Sequence, residues 1–318
     1  MKIKILLSVL LLMLFAAKAR AWNATGHMTV AELAWRSLSS GERTKISILL
    51  RQHPHYAELL AAEAPAEANL DEWVFLRASI WPDLVRPAYP GKPPKPTHIT
   101  DYNRPSWHFS SIPFVTPADL ATIKLSDHPP TETNIVERLP VVEATLKSPQ
   151  TSPSERAVAL AWYLHLMGDL HQPLHCATWI SPEYPKGDRG GNEVAIQPRS
   201  AAVKLHAFWD DALGTGETYT FIAFQADQIQ TNPQLAKSQL KELKSHQTYP
   251  LWAEESFDLA KSFGYLNGEI EHTKYHEGIA SADVPGLNPG YEENMHIVSR
   301  RRVALAGIRL GKKLKAIF

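Results

Sequence analysis

The stretch from Ala161 to Ala177, AWYLHLMGDLHQPLHCA, constrains the fold more than any other. It sets His165, Asp169, His171 and His175 in an otherwise apolar run, where a charged Asp needs a partner. His165 and Asp169 stand four apart, so on a helix they share one face and can grip a single metal ion. Pro173 ends or kinks that helix and turns His175 toward a second site. One such histidine is more often a satisfied core residue. Four ligand-type residues in one run, with further His and Asp pairs elsewhere, favour metal chemistry.

Residues 1–21 read as a secretory leader. Lys2 and Lys4 give a positive start, Ile5 to Ala17 an apolar core, and Ala19-Arg20-Ala21 a small-x-small cleavage site. The apolar part is short for a bilayer span, and no later segment is long and uncharged enough. No cysteine at the cut offers a lipid anchor. The expected mature chain, Trp22 to Phe318, is secreted or periplasmic, with no membrane attachment. The whole sequence balances 33 basic against 33 acidic residues. Losing Lys2, Lys4, Lys18 and Arg20 leaves the remainder acidic, which argues against nucleic-acid binding through a broad basic face. The single cysteine, Cys176, forms no internal disulfide. An exported chain without disulfides fits a bacterial periplasmic or extracellular enzyme held by core packing and metal.

Helical periodicity dominates. The pattern predicts helices over 27–38 (with Thr25 as cap), 42–50, 56–64, 69–79, 134–146, 154–169, 201–213, 234–245, 253–262 and 297–317. No alternating strands recur at regular spacing, so the expected fold class is all-α. Arg86 to His98 carries five prolines and excludes a helix. Ser181 to Gln197, containing GDRGGN, and Asp283 to Tyr291 are the other Gly/Pro-rich loops. Without internal repeats, one compact domain over 22–318 is expected.

Ligand-type residues recur in order along the chain: Trp22 and His27, Asp83 in WPDLVR, His108 in WHF, then His165, Asp169 and His175, then His206 and Asp210 in LHAFWDD. Nitrogen and carboxylate donors at such spacings suit zinc, and they exceed what one ion needs. This ordered set resembles the S-one/P-one single-strand-specific zinc nucleases, whose fold zinc-dependent bacterial phospholipases C share. The resemblance implies a helical domain with three zinc ions in a cleft. Asp83, His108, His165 and Asp169 would bind the first ion, and His175, His206 and Asp210 the second. The third falls to His27, bridging Asp169, and the α-amino nitrogen and carbonyl oxygen of Trp22. The implied reaction hydrolyses single-stranded DNA and RNA to 5′-phosphorylated products and removes phosphate from 3′-nucleotides. Asp83 would orient the attacking hydroxide and Arg86 would stabilise phosphoryl charge. No stable protein partner is implied, and a monomer is expected.

Base recognition by the same resemblance falls to Phe109, Gly191 and Asn192 of the GGN turn. Ser111 stands where the family has an acid, and Arg189 precedes the glycine pair, which leaves base preference open. His171 points off the ligand face and reads as a supporting or surface residue. His53, His55, His98, His128, His246, His272, His276 and His296 lack motifs and read as exposed or structural. Two other readings stay open: a phospholipase C-type phosphodiesterase, and a non-catalytic exported zinc-binding protein.

Overall fold

The first helix begins where Asn23 accepts a hydrogen bond from the Gly26 amide on its side-chain oxygen, capping α1 (Ala24–Ser37). Thr25, the cap expected from the sequence, lies inside the helix and donates instead to the Gly216 carbonyl. The structure, a computed structural model, describes residues 22–88, 92–130 and 133–318. The expected leader, residues 1–21, lies outside the described residues. The helices continue as α2 (Ser40–Leu50), α3 (Leu70–Leu84), α4 (Thr97–Thr100), α5 (Ile135–Lys147), α6 (Pro153–Asp169), α7 (Leu205–Asp210), α8 (Tyr219–Gln230), α9 (Glu242–Ser245), α10 (Tyr249–Leu259) and α11 (Tyr291–Ile317). Strands are two or three residues long: β1 (Ile112–Phe114), β2 (Ala177–Trp179), β3 (Val194–Ile196), β4 (Val203–Lys204) and β5 (Thr273–Lys274). The all-α class holds.

Helix α6 starts from a Ser152–Glu155 capping box with Pro153 in its first turn, where the missing N–H costs nothing. From Ala159 to Asp169 every residue is buried, because α6 packs against α1, α2, α3, α5 and α11. A helix apolar on all sides belongs in the middle of a protein, and α6 is there. It stops at Asp169, and Pro173 opens a 3-10 turn, Pro173–His175. Helix α3 runs one turn further than the spacing predicts, through Pro82. The proline forfeits one helical hydrogen bond, while Trp81 and Val85 are completely buried around it. Asp83 therefore sits in the last turn of a rigid helix rather than after it.

Other departures have local causes. The expected 201–213 helix begins only at Leu205, since Val203 and Lys204 pair with Ile196 and Ala195 in the sheet. The expected 234–245 helix breaks into a 3-10 turn at Pro233–Leu235 and the single turn α9, and 56–64 is reduced to one π-helical turn. Helix α8, unforeseen, is capped by the Thr218 side chain. The parallel pairing of β1 with β2 sets Ile112 beside Ala177 and draws the His108 segment against the His175 turn. The antiparallel sheet β4-β3-β5 holds the GGN loop at its other end.

Candidate metal centre and cleft

Four separate segments deliver donors to one point. His165 and Asp169 come from α6, His108 from the 3-10 turn Pro105–His108, His27 from α1 and Asp83 from α3. His108 Nδ1 lies 3.0 Å from Asp169 Oδ2, His165 Nε2 lies 3.1 Å from the same oxygen, and the two nitrogens are 2.9 Å apart. A tetrahedral ion with bonds near 2.0–2.1 Å holds its donors about 3.3 Å apart, so this triangle is close to a metal's requirement. Asp83 Oδ1 approaches His165 Nε2 at 4.0 Å. On the other carboxylate oxygen, His27 Nε2 stands at 3.2 Å and His175 Nδ1 at 3.6 Å. Asp169 thus touches donors from three directions.

A second group joins His175, His206 and Asp210, whose donor atoms lie within 4.8 Å of one another. Backbone carbonyls fix the rings. His165 Nδ1 donates to Ser79 at 2.8 Å, His175 Nδ1 to His108 at 2.6 Å, and His206 Nδ1 to Gly190 at 2.6 Å. In each case Nε2 is left with its lone pair facing the donor cluster, the outer-shell arrangement that orients metal-binding histidines. Gly168 is needed where α1 crosses α6, since a Cβ there would lie 2.6 Å from His27 Nδ1. Trp22 is completely buried, and the next amide, Asn23 N–H, donates to the Asp210 carbonyl at 3.2 Å. The first described residue is thereby tied to the second donor group.

The electrostatics are those of neutral imidazoles around carboxylates. Burial, then repulsion from His165, pushes His27 down to about 4. Burial and Arg86 push His108 down to about 3, and burial and His175 push His206 to about 3. Burial opposes the charged forms of His165 and Asp169, yet their mutual attraction outweighs it, raising His165 and holding Asp169 well below the carboxylate range. For Asp210 burial wins, and its carboxyl is raised well above that range. Buried polar atoms normally have partners. Here His27 Nδ1, His108 Nε2, His175 Nε2 and Asp210 Oδ2 accept or donate no hydrogen bond, and His27 Nε2 and Asp169 Oδ1 face each other at 3.2 Å without a well-formed one. Cations would satisfy the oxygens and the ligand nitrogens together, so the donor set fits metal.

His108, His175 and His206 line a cleft of about 560 Å³, whose walls also include Arg86, Phe109, Ser111, Arg189, Gly190 and Asn192. Arg86 Nε pairs with Asp83 Oδ1 at 2.9 Å. Burial opposes the Asp83 charge, but Arg86 and His165 hold its carboxyl at about 2. Asp188, overlooked in the sequence, organises the GGN wall. Its buried carboxylate accepts from the amides of Trp179 (2.8 Å), Gly190 (3.1 Å) and Gly191 (2.7 Å), from Thr178 Oγ1 (3.2 Å) and from the Tyr265 hydroxyl (2.7 Å). The Gly191 amide is therefore already used, and Gly190 rather than Gly191 forms the cleft wall. Gly190 has φ +65°, and a Cβ there would lie 2.4 Å from the Leu174 carbonyl oxygen. Asn192 Nδ2 donates to the Arg189 carbonyl at 2.9 Å.

The family model described as S1/P1 Nuclease matches residues 22–318. The chain belongs to the S1/P1 nuclease family. Among curated relatives it is similar to Endonuclease 3 of Arabidopsis thaliana, 29% identical over 170 residues, covering 50% of this chain and 51% of that protein. Endonuclease 5 of the same plant is 30% identical over 175 residues, covering 50% and 51%. The chain spans about half the length of the curated relatives it matches. Nucleases of the S1/P1 family are metal-dependent, and the His and Asp groups described above can hold metal.

His171 lies outside this centre, though not at the surface. It is completely buried, donating from Nδ1 to the Met167 carbonyl and accepting at Nε2 from Arg309. His53 and His55 are buried too, with His55 Nδ1 accepting from the Trp81 indole at 3.0 Å. Their alternation with Pro54 in a loop gave no periodic signal of burial.

Proposed function

We propose that this S1/P1 family chain is an exported zinc-dependent nuclease and 3′-nucleotidase, cutting single-stranded DNA and RNA to 5′-phosphorylated products. The observation behind the reading is the set of orphaned, buried donors converging on Asp169 in a cleft walled by Arg86 and Phe109. Asp83, His108, His165 and Asp169 would hold a first zinc ion, and His175, His206 and Asp210 a second. His27 and Asp169 would hold a third, with the α-amino nitrogen and carbonyl oxygen of Trp22. Zinc ions so held lower the pKa of bound water and offset phosphate charge.

The chain's own groups do the rest. Asp83, ionised throughout the neutral range, would accept a hydrogen bond from the attacking water and orient it. Arg86 supplies a planar, permanently charged fork for the phosphoryl oxygens. Phe109 offers a ring on which a base can stack. With its N–H held by Arg189, the Asn192 amide keeps a carbonyl oxygen for a base amino group. Ser111 reaches less far than an acid and discriminates less between bases.

The test is elemental analysis of the processed protein, with rates on 3′-AMP, single-stranded DNA and phosphatidylcholine vesicles. Bound zinc with turnover of the first two substrates is expected. Turnover of vesicles alone would make it a phospholipase C, and zinc without turnover a binding protein.

A further inference from the structure

Beside the cleft, the sheet β4-β3-β5 brings a lysine and a tyrosine together. Ala195 in the central strand pairs with Lys204 on one side and Thr273 on the other. Directly paired residues share a face, and Tyr275, two beyond Thr273, returns to it. Its amide extends the ladder, donating to the Glu193 carbonyl at 2.7 Å. Across the small Ala195, Lys204 Nζ reaches to 4.7 Å from the centre of the Tyr275 ring. Both side chains are half-exposed. Arg189, exposed on the cleft wall, lies two residues before Gly191, whose carbonyl accepts from the His206 amide at 3.2 Å, two residues beyond Lys204.

The grouping is also coupled to the cleft through the backbone. Lys204 immediately precedes α7, which carries His206 and Asp210, and Arg189 precedes Gly190, whose carbonyl holds His206. We infer that Arg189, Lys204 and Tyr275 form a path for the polynucleotide where it leaves the cleft. The two cations would meet backbone phosphates, and the tyrosine ring would stack a base one or more nucleotides from the cut. Aromatic rings interleaved with cations are what sequence-tolerant single-strand binding uses. The inference rests on the nuclease reading and adds a preference for chain length to it.

Tyr275→Leu, Tyr275→Phe and Lys204→Gln can be compared with the parent on 3′-AMP and on a 20-nucleotide homopolymer over a range of salt. For Tyr275→Leu, KM for the 20-mer should rise about fivefold or more, while 3′-AMP turnover stays within about twofold. Tyr275→Phe should restore parental KM. For Lys204→Gln the slope of log affinity against log salt should shrink by about 0.7, one phosphate contact. Equal losses on both substrates, or unchanged 20-mer KM in both Tyr275→Leu and Lys204→Gln, would overturn the path. A parent that hydrolyses neither substrate refutes the nuclease reading itself, and the path with it.

Discussion

Two buried polar clusters hang from the same short segment, and they are built on opposite principles. Around Asp169 the donors outnumber the protons and cations available, and six or more buried atoms lack a well-formed hydrogen bond. Two residues on, His171 opens a cluster that closes on itself. Glu255 accepts from Arg302 at 2.5 Å and from Arg309 at 2.7 Å, and Arg302 reaches the His171 carbonyl at 3.2 Å. Ser256 accepts from Arg302 at 2.7 Å and donates to the Leu170 carbonyl at 2.6 Å. Arg309 Nε alone is left over. One cluster supplies its own countercharges and ties α10 and α11 to the end of α6. The other is complete only with cations from outside. Burial and charge do not distinguish them; hydrogen-bond completeness does.

The comparison can be broken from either side. Asp169→Ala should have the largest effect, removing most bound metal and lowering turnover on the order of a thousandfold or more. Its loss of thermal stability should shrink when parent and variant are compared in chelator, because metal binding contributes to folding stability. Full metal content in that variant would sink the assignment. Glu255→Gln attacks the closed cluster, leaving two buried guanidinium groups short of charge. Unfolding free energy should fall by about 3–5 kcal/mol, with metal per folded molecule unchanged. Metal loss in step with unfolding at low denaturant would show that the clusters are not separable. Arg86→Ala should keep its metal and lose about a hundredfold in turnover; parental rates on 3′-AMP would reduce Arg86 to an ion pair with Asp83.

The comparison can also be sharpened through pH dependence. His27 near 4, and His53, His108 and His206 near 3, are all depressed from the ordinary 6.5 by burial. Below about pH 6.5 the unfolded chain takes up protons that these folded histidines refuse. Stability of the chelated protein should therefore fall as pH drops from about 6.5 toward 4. His165, raised, works the other way and offsets part of the slope. A urea midpoint flat between pH 7 and 5 would contradict the neutral-imidazole assignment.

Part of the donor cluster is legible in the sequence because ligand spacing is partly local. His165 and Asp169, or His206 and Asp210, share a helix face whatever the rest of the chain does. That His27, Asp83 and His108 meet them rested on resemblance, since helix crossings and the β1–β2 register are set by long-range packing. Helices with clear caps, such as α6, were read nearly to the residue. Helix α8 was missed because its short apolar pattern lies between polar loops, and 234–245 was overread because only Leu240 of that stretch is buried. Asp188 and His171 carried no spacing signal. Their partners come from backbone amides and from arginines more than a hundred positions away.

The five donors gathered by Asp188 bear on timing as well as shape. Residues 189–191 all have left-handed backbones, φ +57°, +65° and +82°, and two of their amides are already committed to that carboxylate. The turn they form, with Arg189 and Gly190 on the cleft, is held by its own hydrogen bonds, so ligand association need not wait for this loop to fold. In enzymes that close a lid, loop motion on the microsecond to millisecond scale can set the pace. A wall already held by its own hydrogen bonds has no such closing step to make.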